Sequence, residues 1–205
     1  MQLMLCTANC VGNQKNCRYP NKLIVTSEDE LKEAAKLDHV CAEYKNNYRS
    51  AANFLKSNVI VMDCDNDHTE NPDEWITPEA LDELIPDVSY AVAASRHNML
   101  SKDGKTARPK FHVYFSIEEL TDAEEYADIK RAIHAQFPFF DDNALDAARF
   151  IYGADTGKVL WHEGWLTIDE LLQDVPEPTN ISRTDSIPEG HRNNTLSRFA
   201  GRVVK

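Results

Sequence analysis

Residues 59–66 read VIVMDCDN: four apolar residues, three of them β-branched, run directly into two aspartates spaced Asp-x-Asp, Asp63 and Asp65. A short apolar run of this kind, closed by a polar turn, reads as a buried strand. The strand period of two sets Val59, Val61, Asp63 and Asp65 on one face, and Ile60, Met62 and Cys64 on the other. Two carboxylates side by side at the end of such a strand repel each other, and a divalent cation between them relieves the repulsion. A solvated strand end has the same appearance, so the surrounding sequence must decide.

Working outward, VIVMD is followed by a helix PEALDELI behind Thr77 and Pro78, a strand VSYAVAAS, a strand KFHVYF, a helix over 121–137 and a strand RFIYG. That order is β-α-β-β-α-β, the split βαβ unit in which the first and third strands are central neighbours and the fourth flanks the first. The expected fold class is therefore α+β, with a ferredoxin-like, RRM-like βαββαβ core over about residues 59–153 and an N-terminal α/β extension. In that extension LIVTS reads as a strand. Ser27 with Glu30 forms a capping box for a helix through Leu31, Ala34 and Leu37. VCAEY suggests a second strand, and Ala51 to Leu55 a helical turn. Beyond the core, KVLWHEGWL adds a strand or hairpin, and Thr167 with Glu170 opens another helix. The main domain is expected over 1–175. A Pro/Ser/Thr-rich linker covers 176–188, and the segment 189–205 begins a basic amphipathic helix that stops uncapped, as in a fragment of a longer chain.

The chain has 205 residues, 42% of them hydrophobic, enough for one sizeable core. Its formal net charge of −12 argues against coating nucleic acid by bulk attraction. The cationic side chains concentrate instead in a block formed by Arg96, Lys102, Lys105, Arg108 and Lys110. No apolar run approaches the roughly 20 residues of a membrane-spanning helix, and MQLMLCTANC lacks the charged start of a secretory signal, so a cytoplasmic protein with no membrane partner is expected. Cysteines at 6, 10, 17, 41 and 64 read as reduced thiols. Cys6, Cys10, Cys17 and Cys41, with His39, are numerous enough for a structural zinc site, but their spacing fits no regular one.

In KFHVYF, Arg108, Lys110, His112 and Tyr114 alternate with Phe111, Val113 and Phe115. The aromatic set is expected beneath the helices, with Lys110 and His112 on the open face of the sheet. FFDDNALD, just before the last strand, brings Asp141, Asp142 or Asp146 toward the first strand. Three carboxylates beside a cationic strip suit two divalent ions, magnesium or manganese, holding a nucleoside triphosphate, with His112 and Lys110 on the departing phosphates. The reaction class is nucleotidyl transfer. Arg108, Ser95 and Arg149 are further nucleotide-binding candidates. Lys45, Tyr48 and Arg49 in EYKNNYRS, and Arg96, His97 and Asn98 in SRHN, are candidates for tracking a single strand by phosphate contacts and stacking. Each piece has a plainer reading as strand edge, acidic turn or solvated loop. Their joint placement on adjoining strands favours the sharper one.

These residues resemble the archaeo-eukaryotic primase superfamily, in particular the primase-polymerases of phages, plasmids and other mobile elements. Its three motifs look like VIVMDCD, KFHVYF and FFD, and the likeness covers about residues 59–153. The resemblance implies that Asp63 and Asp65 are metal ligands and that His112 contacts the nucleotide phosphates. It also implies Asp141 as the third ligand, because Asp141, Asp146 and Arg149 match the family spacing; Asp142 is the alternative. The implied activity is that of a DNA primase or primase-polymerase, a DNA-directed nucleotidyltransferase, working in replication on a single-stranded DNA template with NTP or dNTP. IPEGHRNNTLSRFAGRVVK looks like the opening of the helical domain that commonly follows, and a helicase or helical domain in the longer parent is an implied partner. Asp67, after the acidic pair, is either an outer ligand or a loop-shaping residue.

Two other functions use a similar sheet. A rolling-circle nicking endonuclease needs a pair of histidines, whereas FHVYF has one. A non-catalytic RRM-like module stacks bases on sheet aromatics, for which Tyr114 is the one candidate.

Overall fold

The computed structural model describes residues 1–101, 104–143 and 145–173; Lys102, the expected linker and the expected terminal helix lie outside the described residues. Nine strands and four α-helices are found among them. The strands form two sheets, one of four strands and one of five.

The long strand β5 (Phe54–Cys64) contains VIVMD and begins five residues earlier than its apolar run suggests. It pairs antiparallel with β7 (Phe111–Leu120), which pairs with β6 (Tyr90–Ala94), so the expected first and third strands are central neighbours. Helices α2 (Pro78–Leu84) and α3 (Ala123–Gln136) occupy the expected crossovers. Thr77 caps α2 by accepting the Ala80 N–H, with Pro78 in the first turn. Asp122 caps α3 by accepting from Glu124 and Glu125.

Ile60, Met62, Phe111, Val113 and Phe115 pack in one cluster with Leu81, Tyr126, Ile133 and Ile168, the last from α4 (Ile168–Gln173). Burying each such large side chain stabilises the fold by about 1.5–3 kcal/mol. Half of the Thr167 and Glu170 box forms, with the Thr167 N–H and hydroxyl both donating to the Glu170 carboxylate. Before it, β9 (Val159–His162) joins the outer edge of β6.

The sheet's other face is not open along its whole length. β1 (Leu3–Thr7), buried at every position and unread from the sequence, pairs with β2 (Asn21–Val25) and with β3 (His39–Val40). Leu3 and Leu5, together with Leu31 and Ala34 of α1 (Glu28–Ala34), pack on Val59, Val61, Ala91, Ala93 and Tyr114. Asn58 clasps this second sheet through two hydrogen bonds, accepting the Met4 N–H and donating to the Gln2 carbonyl. In α1, Ser27 caps as expected, but Glu30 reaches back to the Thr26 N–H and hydroxyl rather than to Ser27.

The fourth core strand is a correction. RFIYG supplies β8 (Phe150–Ile151), which pairs with β3 in the N-terminal sheet and does not flank β5. VCAEY is divided likewise: β3 serves one sheet, while β4 (Glu43–Tyr44) pairs with β5 at Phe54 and Lys56. Beyond that short pairing, other groups satisfy the outer edge of β5. The Tyr126 hydroxyl donates to the Val59 carbonyl and the Asp141 N–H to the Asp63 carbonyl. With that edge filled, the chain crosses the end of β5 at Arg149 and continues beside β3.

Candidate active site

The register of β5 on β7 places Asp63 directly opposite His112, and β6 places Ala93 on the other side of His112. Residues paired in this way share a face, with Cβ atoms about 4.5–5.5 Å apart. The imidazole Nδ1 lies 2.6 Å from Asp63 Oδ1. Continued two residues further, the same register brings Asp65 to Lys110, whose Nζ is 3.1 Å from Asp65 Oδ2 and 3.6 Å from Asp67 Oδ1. Arg149 bonds the other oxygen of Asp63.

Asp141 completes the cluster from the edge of β5, where its backbone is fixed to Asp63. Burial, then Asp65, Asp63 and Asp67, push its carboxyl up to about 7 against the pull of Lys110. Burial acts in the same direction on Asp63, but His112, Arg149 and Lys130 outweigh it and hold that carboxyl well below the ordinary range. Asp63 is thus held by His112 and Arg149, with Lys130 also favouring its charged form, while Asp141 faces carboxylates. Asp142 is exposed, and Asp146 caps its own turn by accepting the Ala148 N–H at 2.5 Å.

A cleft of ≈ 180 Å³ opens beside this cluster, lined by Asp63, Asp65 and His112, by residues 95–97, and by residues 149–152, with Asp141 and Lys110 outside its lining. Ser95, Arg96 and His97 belong to the turn after β6. Lys110 holds that turn in place: its carbonyl accepts the Ser95 N–H at 2.8 Å, and its N–H donates to Asn98 Oδ1 at 3.0 Å. His112 Nε2 is hydrogen-bonded by no described residue, so the ring offers the cleft a free nitrogen.

Arg108 is a second correction. Its side chain is fully buried, donates to the Asn66 carbonyl at 3.0 Å and to Glu70 at 2.6 Å, and lies 5.2 Å from the Trp75 ring. It secures the loop after the acidic pair and does not reach the cleft. Asn66, buried with φ +53°, turns that loop and ties it to Ile76 and Pro109. Asp67 pairs with Lys105 at 2.8 Å and thereby helps shape the same loop. Lys45 is exposed on a short 3-10 turn, while Arg49 is half-buried and donates to the Ala148 carbonyl at 2.7 Å.

The structure adds residues that sequence reading missed. Phe150 and Tyr152 line the cleft, although in RFIYG the sequence singled out only Arg149 beyond the strand itself. Lys130 is buried on α3, its ammonium pulled down to about 8 by burial, with Asp63 opposing. Its position between Tyr126 and Ile133, on the apolar stripe of the helix, was the legible signal.

All five cysteines are free thiols. Among the described residues, no three His, Cys, Asp or Glu side chains stand close enough to hold a metal ion, because Asp63 and Asp65 are turned toward His112, Arg149 and Lys110. The donor set nonetheless suits a hard divalent cation: the oxygens are all carboxylate, and Asp141 faces a carboxylate repulsion that Lys110 only partly offsets. No described helix is long and apolar enough to cross a membrane.

No protein-family model and no curated protein matches this sequence. Among solved structures, the chain is similar to the AEP domain of the primase-polymerase (PrimPol) of cyanophage S-2L. The two share 13% identity with a TM-score of 0.47, over 85% of this chain and 89% of that one. A likeness that distant bears on neither the site nor its chemistry, which rest on the side chains described above.

Proposed function

We propose that this chain is a template-directed nucleotidyltransferase, a primase or primase-polymerase acting on single-stranded DNA in the replication of a mobile element. The observation that carries this reading is the placement of Asp63, Asp65, His112 and Arg149 on one cleft at the end of β5, with Lys110 paired to Asp65 and the Asp141 backbone fixed to Asp63. Asp63, Asp65 and Asp141 would hold two magnesium or manganese ions, which supply polarisation of the α-phosphate and activation of the attacking hydroxyl.

The remaining roles fall to the protein's own groups. With Asp63 held at Nδ1, His112 presents Nε2 to a phosphate oxygen of the bound nucleotide. Lys110 neutralises the departing phosphates, Arg149 orients Asp63, and Ser95 offers a hydroxyl at the cleft wall. Arg96 and His97 line the same cleft, where they would contact the template.

Two observations weigh against the competing functions. Tyr114, on which a stacking-only module depends, is fully buried and donates to His39 Nε2 at 2.8 Å. The strand bearing His112 also has no second histidine for a nicking enzyme.

The test is incubation of the chain with labelled ribo- or deoxynucleotides, a bare single-stranded template and either metal. Nucleotide incorporation is expected. Asp63→Ala and Asp65→Ala should abolish it while circular dichroism stays native; full activity in either variant would end the assignment.

A further inference from the structure

Two aromatic rings at the mouth of the cleft are each covered by a guanidinium. Phe150 and Tyr152, two positions apart where β8 ends, have ring centroids 4.7 Å apart with planes at 69°. The Arg96 guanidinium lies 3.5 Å from the Tyr152 centroid, and that of Arg49 lies 4.9 Å from the Phe150 centroid. The four side chains come from three separate segments: the turn after β6, the β8 strand and the turn before β5. Gly153 fixes the end of β8, since a Cβ there would stand 2.3 Å from the Lys36 carbonyl oxygen. Its N–H donates to the buried Asp38 carboxylate at 2.8 Å.

The charge at this row departs from that of the whole chain. Acidic side chains outnumber lysines and arginines 34 to 22, yet neither Arg96 nor Arg49 is in an ion pair among the described residues. A guanidinium stacked on one face of a ring leaves the opposite face for a base, and its remaining N–H groups can bond phosphate, one of those of Arg49 being already given to the Ala148 carbonyl. A cationic groove carrying aromatic platforms is how single strands are held without sequence preference.

We propose that Phe150 and Tyr152 are the base-stacking platforms of a single-stranded DNA track, with Arg96 and Arg49 as its phosphate contacts, delivering the template to the Asp63 cleft. The direction of delivery rests on the nucleotidyl-transfer reading; the DNA site itself does not.

The test measures the full chain's affinity for a labelled oligothymidylate by fluorescence anisotropy, in EDTA and without nucleotide. Tyr152→Ala should weaken binding by about 5- to 100-fold, the loss of one base–aromatic stack. Tyr152→Phe, which keeps the plane, should restore it and guards against a folding defect. Trp165→Ala, which removes an exposed aromatic outside the cleft, should change nothing. Unchanged DNA affinity in both Tyr152→Ala and Phe150→Ala would overturn the track, as would a rise in nucleotide KM with DNA affinity intact. If the wild-type chain incorporates no nucleotide yet shows the Tyr152 dependence, the track stands and the polymerising role alone falls.

Discussion

The two ends of one sheet face are built alike and used differently. At one end Val61 lies opposite Tyr114, and at the other, two residues along, Asp63 lies opposite His112. Val61 and Tyr114 are sealed under Leu3 and Leu5 of β1, whereas Asp63 and His112 border the cleft. The strands do not change between these pairs; the cover does. A strand face becomes core or site according to where the second sheet stops, and the small side chains of Ala91 and Ala93 in the neighbouring strand fit beneath it.

The sharpest break of this comparison sets the helix-packed side of the sheet against the cleft. Phe115→Ala should lower the unfolding free energy by about 3–5 kcal/mol in a denaturant titration. Asp63→Asn should leave a cooperative melt yet reduce incorporation by about a thousandfold, the scale of transition-state stabilisation a bound metal supplies. An Asp63→Asn chain that unfolds would mean that the carboxylate is structural.

Within the cleft, His112→Ala should raise the nucleotide KM about 10- to 100-fold, the value of a charge-assisted hydrogen bond, while template affinity shifts less than about twofold. Equal losses in the two constants would move His112 from the phosphates to general packing. At the sealed end, Tyr114→Phe removes the donor to His39, whose imidazole burial pushes down to about 4 and which therefore stays neutral. The cost expected in thermal or chemical unfolding is about 1–3 kcal/mol, that of one buried acceptor left unmatched.

The smallest effect concerns pH. The folded-state carboxyl of Asp141 is raised from 3.8 to about 7, so the folded chain binds the proton more tightly than the unfolded one. Its stability is then fully retained below about pH 4 and declines as pH rises through about 7. In chelator, the wild-type Tm should fall across that window by a few degrees, and Asp141→Asn should flatten the fall. A wild-type Tm that climbs over the same window would contradict the crowding of carboxylates around Asp141.

Much of this was legible in the chain. The period of two in VIVMDCD and KFHVYF fixed which side chains share a face, and the antiparallel pairing of β5 with β7 then put Asp63 beside His112 and Asp65 beside Lys110. Cap residues placed α2 and α4 because the reason they cap is local. Arg108 was misread because parity extended the strand pattern past Pro109; β7 begins at Phe111, and the arginine turns into the loop of Asn66 and Glu70 instead.

What the sequence determined alone is local and periodic: strand faces, helix starts, and an acidic pair in register with a histidine and a lysine. What only the tertiary structure decided is partnership. β1 is apolar at nearly every position and so shows no face in its sequence, and β8 is two residues long. Neither announces that both join a second sheet, which packs on part of the first and brings Arg149, Phe150 and Tyr152 to the cleft. Pairing between strands distant in the chain depends on which edges are left unfilled, and only the folded chain settles that.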